Sequence, residues 1–189
     1  MSTPKAFFAI ALWNERSALL TLGGVKNGAS PKEVQEYSLP KNIWKPHSQL
    51  LEAVYGSSAV VFNHVIYSIG RWRSSHSVMW CRLACWKFID LPNSAFKGYY
   101  YREAFALENK IVYLGSWNEN ASLVLEKEGE SEQLKVARED EGIDLVKGGW
   151  NTASWVFKTG IYAFKTTKYN EVYRYSLEIE KWCRYSPHE

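Results

Sequence analysis

Short apolar hairpins recur along this chain at nearly constant spacing, and this repetition constrains the fold more than any other feature. In Ser58–Gly70, two apolar runs flank the pair Asn63-His64 and the second run ends in glycine, which predicts a tight β-hairpin. Comparable segments are Phe8–Gly24, Glu103–Gly115 and Ala153–Phe164. Segments that return about every 42 to 48 residues indicate an array of similar structural units.

Each hairpin belongs to a repeat that contains two further short strands. The predicted repeats cover about residues 5–51, 52–94, 95–147 and 148–189, and they form a single domain over 1–189. The predicted third strands are Glu33–Tyr37, Val78–Arg82, Leu123–Leu125 and Glu171–Tyr175, and the fourth strands contain Trp44, Trp86, Leu134 and Trp182. Gln133–Val146 is the best candidate for a helix, although its apolar pattern is mixed.

The composition also favours a β-rich globular domain. Of the 189 residues, 46% are hydrophobic and 15% are aromatic, and the 9 Trp and 12 Tyr are typical of half-buried strands. The length suits one well-buried domain. The net charge of +3 is compatible with a polyanionic partner without requiring one, and we do not expect a nucleic-acid partner.

The glycine after the second strand and the aromatic residues that follow it resemble the kelch repeat. The positions that carry this resemblance are Gly23, Gly24, Tyr37 and Trp44 in repeat one, Gly70, Trp80 (in place of Tyr) and Trp86 in repeat two, Gly115 in repeat three, and Tyr175 and Trp182 in repeat four. The resemblance implies an all-β fold, a kelch-type β-propeller of four four-stranded antiparallel blades.

Side-chain size agrees with such an architecture. First strands such as Ser57–Phe62 alternate small and larger residues, and small side chains suit strands that crowd around a central axis. The Tyr and Trp residues of the outer strands have the bulk to fill the widening gap between neighbouring blades. Each blade would bury an apolar side that it cannot bury alone.

The number of repeats is unusual, because kelch propellers usually close with six or seven blades. The chain begins with a first strand and ends with a fourth strand, so no terminal strand remains to complete a blade from the other end. Four blades could close tightly, form an open arc, belong to a longer propeller or pair with a second copy. An open arc would expose apolar end faces and so favour self-association.

One face of the predicted blades is rich in Arg, Trp and Tyr, the residue types that dominate binding hot spots. Loops after second strands and loops entering first strands should share this face, with predicted partner-binding residues Arg71, Trp72, Arg73, Tyr101, Arg102, Trp117 and Trp150. In peptide-binding kelch domains, Arg residues just before first strands often contact acidic segments, and Arg102 matches that position to within one residue. The resemblance therefore implies a protein partner with an acidic or polar segment.

Residues with catalytic or metal-binding chemistry do not form a recognisable pattern. The four histidines, His47, His64, His76 and His188, fall in different loop classes, and we expect Cys81 and Cys85 to be buried thiols rather than zinc ligands. Phosphate-loop and nucleophile-elbow motifs are missing from the sequence. The sequence therefore predicts no catalytic residue, metal or cofactor. The resemblance leaves an enzyme alternative, a galactose oxidase-like copper enzyme or a sialic-acid epimerase.

These features predict a protein-binding scaffold rather than an enzyme, with a truncated paralogue without independent activity as a further alternative. No apolar run approaches the roughly 20 residues that span a bilayer, and Ala6–Leu12 is too short for a convincing signal peptide. Three cysteines do not make a disulfide framework. We therefore expect a cytoplasmic protein without a membrane partner.

Overall fold

Each predicted repeat forms one four-stranded antiparallel sheet from consecutive strands. The computed structural model describes residues 4–70, 78–89, 103–114, 121–131, 133–141, 152–157, 160–165, 171–176, 178–179 and 181–185. All four sheets have their strands in chain order from one edge to the other. The prediction of an all-β chain with four strands per repeat is thereby confirmed for the described residues.

The strands are short and the described residues contain a single helical element. Sheet 1 has β1 (Ala9–Trp13), β2 (Ala18–Leu22), β3 (Glu33–Ser38) and β4 (Ile43–Gln49); sheet 2 has β5 (Ser58–Phe62), β6 (Val65–Ile69), β7 (Val78–Arg82) and β8 (Cys85–Ile89). Sheet 3 has β9 (Glu103–Leu107), β10 (Lys110–Leu114), β11 (Ala121–Lys127) and β12 (Leu134–Glu141); sheet 4 has β13 (Thr152–Phe157), β14 (Gly160–Lys165), β15 (Glu171–Ser176) and β16 (Lys181–Arg184). The helical element is a 3-10 turn, Asn14–Arg16, and no described helix is long and apolar enough to cross a bilayer.

The hairpin of β5 and β6 has the predicted two-residue turn. Phe62 pairs with Val65 at the turn, and Ser58 pairs with Ile69 at the other end. Asn63 and His64 have φ angles of 49° and 62°, and positive φ at both central residues is the type I′ geometry that matches strand twist. The turn prediction is confirmed.

The weak helix candidate that begins at Gln133 is not a helix over the described residues up to 141, and the fourth strand predicted around Leu134 is confirmed. Leu134–Glu141 is strand β12, paired with β11 across a β-bulge between Val124 and Leu125. Along its first residues burial alternates, since Leu134 is buried and Lys135 is exposed. This two-residue period is that of a strand with one face against the core.

Successive sheets pack face to face, and each pair encloses its own apolar cluster. The cluster between sheets 1 and 2 includes Leu20, Leu22, Ile66 and Trp86; that between sheets 2 and 3 includes Tyr67, Ile69, Ile111 and Leu125; that between sheets 3 and 4 includes Val112, Val124, Ile161 and Tyr175. First strands lie side by side, β1 against β5 and β5 against β9. This series of sheets is consistent with a propeller-like arrangement.

Two contacts fix the relative direction of sheets 1 and 2. The amide N–H of Gly56, just before β5, donates to the carbonyl oxygen of Phe7, just before β1, at 2.9 Å. At the other edge, His64 Nδ1 lies 3.7 Å from Glu15 Oε1, which joins the two first hairpin turns. We call the edge where β1 and β5 begin the loop side and the edge of the hairpin turns the turn side.

A close backbone approach explains one glycine of the predicted motif. Gly23 has a φ of 59°, and a side chain there would collide with the carbonyl oxygen of Val54. The neighbouring Gly24 N–H donates to that same oxygen at 2.8 Å. The end of β2 therefore contacts the segment that leads into sheet 2, and only glycine fits at this contact.

The aromatic positions of the repeats are cross-strand pairs, with one difference from the sequence prediction. Tyr37 lies opposite Trp44 and Tyr175 lies opposite Trp182. In sheet 2, however, Trp86 lies opposite Cys81, so Cys81 and not Trp80 occupies the tyrosine position. Trp80 belongs to the opposite face and packs towards sheet 3, with Lys87 Nζ 5.4 Å from its ring centroid. Sequence spacing alone could not decide which of these two adjacent residues occupies the tyrosine position, because adjacent strand residues point to opposite faces.

Candidate functional site

The predicted partner-binding residues all lie outside the described residues. These are Arg71, Trp72, Arg73, Tyr101, Arg102, Trp117 and Trp150, and the same holds for Gly115, His76 and His188. The strands that flank these segments are described. Ser58 at the start of β5 pairs with Ile69 at the end of β6, so β6 ends on the loop side.

The described residues contain a pocket on the turn side, between sheets 1 and 2. Its volume is about 260 Å³, and its walls include Trp13, Arg16, Glu36, His47 and Cys81. Pockets for drug-sized ligands span roughly 300–1,000 Å³. This turn-side pocket therefore has room for one amino-acid side chain or an ion rather than for a large cofactor.

Arg16 and Trp13 form the inner-strand wall of the turn-side pocket. Trp13 ends β1 and is buried, whereas Arg16 is exposed in the 3-10 turn that follows. Ser17 adopts a left-handed conformation with a φ of 48°, which reverses the chain into β2. The Arg16 Cζ atom lies 4.3 Å from the Trp13 ring centroid, a cation–π contact that holds a guanidinium at the pocket mouth.

Glu36 and Lys45 form an ion pair on the outer strands of sheet 1. They lie opposite each other on β3 and β4, with Lys45 Nζ 2.9 Å from Glu36 Oε1. The Glu36 side chain is only 7% exposed and that of Lys45 is 52% exposed, so a water-accessible cation neutralises a buried carboxylate. The other cation that lines the pocket, Arg16, takes no part in this ion pair.

His47 enters the pocket wall because of a β-bulge. Val34 pairs with Ser48 and Gln35 pairs with Pro46, so His47 is an extra residue in β4 without a partner in β3. Bulges of this kind redirect a side chain relative to its neighbours. The His47 ring lies 6.1 Å from the Trp13 ring, centroid to centroid.

Hydrogen bonds across the two sheets orient the His47 ring. Trp86 Nε1 in sheet 2 donates to Ser48 Oγ at 3.0 Å, and Ser48 Oγ lies 2.9 Å from His47 Nδ1. Because indole can only donate, the serine oxygen accepts from Trp86, which leaves it one hydrogen and one lone pair for its contact with Nδ1. The contact with Ser48 therefore holds the ring at Nδ1 in either neutral tautomer.

The electrostatics of the pocket favour the neutral form of His47. Burial lowers the pKa of His47 below its ordinary value, and the charges of Arg16 and Lys45 lower it further, whereas the Glu36 carboxylate opposes them. The pocket thus combines the N–H donors of the Arg16 guanidinium at its mouth with an apolar floor that includes Ile66. Such a site suits a carboxylate or another hydrogen-bond acceptor.

The cysteines of the pocket region differ in exposure. Cys81 is buried, as predicted, and burial raises the pKa of its thiol to about 11, so it is protonated at neutral pH and is a poor nucleophile. The prediction that Cys85 is also buried is wrong. Cys85 pairs with Arg82 at the turn of the β7–β8 hairpin, beyond the reach of the inter-sheet cluster.

Neither the pocket nor the rest of the described chain gathers three or more His, Cys, Asp or Glu side chains in a group that could hold a metal ion. The sequence analysis considered His47 only as one of four scattered histidines, and it did not single out Trp13 or Arg16. The sequence offered two signals: Trp13 and Arg16 lie at the start of and within a turn wider than the other hairpin turns, and Pro46-His47 interrupts a strand.

Comparison with known proteins adds no family assignment. No protein-family model matches this chain, and no curated protein matches it either. Function is therefore inferred from the geometry of the described residues and from the repeat pattern of the sequence.

Proposed function

We propose that this chain is a kelch-type β-propeller module that binds a segment of a partner protein and prefers an acidic or polar segment. Four sheets of consecutive strands packed in series support the propeller assignment, and so do the positive-φ glycines Gly23 and Gly70 at the ends of second strands. The aromatic pairs Tyr37–Trp44 and Tyr175–Trp182 support the kelch type. In this role the chain is a scaffold and catalyses no reaction.

The turn-side pocket is the observation that carries the preference for an acidic segment. It presents the Arg16 guanidinium and the His47 imidazole to a volume of about 260 Å³. A single Asp or Glu side chain fits this volume and would accept charge-assisted hydrogen bonds, each worth about 1.5–3 kcal/mol. The buried Glu36 does not repel such a ligand strongly, because Lys45 neutralises it at 2.9 Å.

The loop residues predicted from the sequence are a second candidate surface for the same partner. Its predicted contacts, Arg71, Trp72, Arg73, Tyr101, Arg102, Trp117 and Trp150, are aromatic and basic, and they follow or precede the ends of first and second strands. A partner segment that contacts both sides would have to run around the edge of a sheet. We therefore treat the two surfaces as separable.

The experiment begins with random peptides displayed on phage and selected against the folded chain. Selected peptides should be enriched in Asp and Glu. The affinity of one selected peptide is then measured by calorimetry for Arg16→Glu, for the double variant Arg71→Glu/Arg102→Glu, and for Lys181→Glu as control. Lys181 is exposed on sheet 4 and distant from both surfaces in the chain, so its charge reversal should leave the affinity unchanged.

The variant that changes the surface used by the peptide loses a charge-assisted contact. It should therefore bind the peptide about tenfold or more weakly than the unaltered chain does. A loss with Arg16→Glu alone assigns the turn-side pocket, and a loss with the double variant alone assigns the loop side. Selection of peptides without acidic enrichment, or binding that survives both changes, would contradict the proposal.

A further inference from the structure

The β7–β8 turn places an exposed leucine on the wall of the turn-side pocket. Leu83 and Ala84 are the two turn residues, and both line the pocket on the side that sheet 2 contributes. Leu83 is 88% exposed, the highest value among the exposed large hydrophobic residues of the described chain. Arg16 belongs to the wall that sheet 1 contributes. The pocket therefore has a cationic side chain on one wall and a solvent-exposed apolar side chain on the other.

The backbone of this turn is unfavourable for both of its residues. Leu83 and Ala84 have φ angles of 53° and 63°, the positive pair of a type I′ turn, which prefers Asn-Gly. At such an angle the Cβ atom approaches a carbonyl oxygen, a contact that asparagine tolerates better and that glycine lacks. The β5–β6 turn of the same sheet has the same positive pair at the polar residues Asn63 and His64. Folding alone therefore favours a polar residue at position 83, for backbone conformation and for exposure to water.

One segment of a partner protein can use the pocket and Leu83 together. Arg16 attracts a carboxylate, since Lys45 already neutralises the buried Glu36 at 2.9 Å. A pocket of about 260 Å³ admits one side chain, so the rest of the segment lies across the pocket rim. In an extended segment, side chains two positions apart lie on the same face, about 7 Å from each other. When one of them enters the pocket, the other therefore lies over the rim.

We propose that the turn-side pocket and Leu83 recognise a segment in which an acidic residue and a large apolar residue lie two positions apart. The acidic side chain enters the pocket at Arg16, and the apolar side chain packs on Leu83, which removes both apolar groups from water. Backbone strain such as that at Leu83 clusters at ligand-binding sites. The site is the pocket of the proposed function, on which the inference rests, and the partner segment is now amphipathic rather than only acidic.

The first test measures peptide affinity by calorimetry and stability by urea unfolding for the same variants. The peptide is one from the phage selection whose affinity Arg16→Glu lowers. Leu83→Asn should bind it about tenfold more weakly, because an apolar contact is lost. The urea midpoint of Leu83→Asn should nevertheless rise, because asparagine tolerates the positive φ. Leu83→Met keeps an apolar side chain and should retain the affinity.

Ile179→Asn is the matched control for these variants. Ile179 is 56% exposed between β15 and β16, in the turn of sheet 4 that corresponds to the β7–β8 turn. It is not among the residues that line the pocket. The same loss of an exposed aliphatic side chain should therefore leave the peptide affinity unchanged.

The second test changes the peptide as well as the chain. Replacement of the peptide's apolar residue by alanine should weaken its binding to the unaltered chain about tenfold. The same replacement should have a much smaller effect on binding to Leu83→Asn, because that variant has already lost the contact. Alanine at a neighbouring position of the peptide, which faces away from the chain, should change neither affinity.

The inference and the proposed function fail in different ways. If Arg16→Glu weakens binding and Leu83→Asn does not, an acidic segment still binds and only the role of Leu83 is wrong. Additive losses in the second test overturn the inference in the same way, and so do selected peptides without an apolar residue two positions from the acidic one. A lower urea midpoint for Leu83→Asn would make Leu83 a structural residue, which also overturns it. If Arg16→Glu weakens no selected peptide, the turn-side pocket is not the site and the inference falls with it.

Discussion

Trp86 of sheet 2 donates a hydrogen bond from Nε1 to Ser48 Oγ of sheet 1 at 3.0 Å, and Ser48 in turn lies 2.9 Å from His47 Nδ1. This chain of polar contacts lies beside the apolar cluster that the two sheets enclose. It links the packing of the sheets to the orientation of a histidine in the turn-side pocket.

The contribution of this contact can be measured by a double-mutant cycle. Trp86→Phe keeps an aromatic ring but removes the donor, and Ser48→Ala removes the acceptor. Each change should lower the free energy of unfolding by about 1–3 kcal/mol, with a coupling between the two of about 1 kcal/mol. Urea unfolding of the four proteins measures these values. Strictly additive losses would show that the two groups do not interact.

Glycine is required at Gly23 for steric reasons and at Gly28 only for backbone conformation. Both have positive φ, 59° and 76°, but a side chain would meet the Val54 carbonyl at Gly23 and open space at Gly28. Gly28→Ala should therefore cost about 1–2 kcal/mol, and Gly23→Ala should cost about 1–3 kcal/mol more. Urea midpoints of the two variants provide the comparison. Equal losses would refute the steric role of Val54.

The turn residue His64 is suboptimal for its geometry. It has a φ of 62°, which glycine adopts without steric cost, and Asn-Gly is the preferred pair for such a turn. His64→Gly should raise the free energy of unfolding by about 0.5–1 kcal/mol after the entropic cost of glycine. Its exposed contact with Glu15 contributes little. His64→Ala, which keeps a Cβ atom, should bring no gain in thermal unfolding.

Burial of His47 predicts a loss of stability in mild acid. Above about pH 6.5, the ordinary pKa of histidine, both the folded and the unfolded chain hold His47 neutral. Because the pKa of His47 is lowered in the folded state, the unfolded chain binds the proton first as the pH falls below that value. The free energy of unfolding should then decrease. In His47→Gln this part of the decrease should vanish, and a difference between the proteins that does not change with pH would contradict the assignment.

Cys81 and Cys85 should differ in reactivity although only three residues separate them in the sequence. In a Cys183→Ser background, a thiol reagent at neutral pH should modify the exposed Cys85 rapidly. The buried Cys81, whose pKa is raised to about 11, should react only after denaturation. Mass spectrometry of the modified peptides distinguishes the two sites. Rapid modification of Cys81 in the native chain would mean that sheets 1 and 2 separate easily.

The sequence was sufficient to predict the strands because the signals are local. Asn63-His64 between apolar runs predicts a two-residue hairpin, and Val78–Arg82 has the predicted bounds. The prediction failed where a side chain's direction depends on a partner strand. Trp80 and Cys81 are adjacent, and only the pairing of Cys81 with Trp86 decides which of them faces sheet 1.

The turn-side pocket could not be predicted because it depends on contacts between distant residues. Its walls come from the first turn, from a bulge in β4 and from a turn in sheet 2. The bulge that places His47 arises from the register of β3 against β4. Residue spacing within one strand carries no signal for such a shift.

The consecutive strand order within every sheet also bears on how the chain comes to be folded during synthesis. All strand pairs join neighbours in the chain, so the loops that must close are short and each sheet can form without waiting for a distant segment. A nascent chain could complete sheet 1 before the ribosome has finished sheet 2. Translation and folding would then run in the same direction, and each newly made sheet would cover the apolar surface that the one before it had left in water.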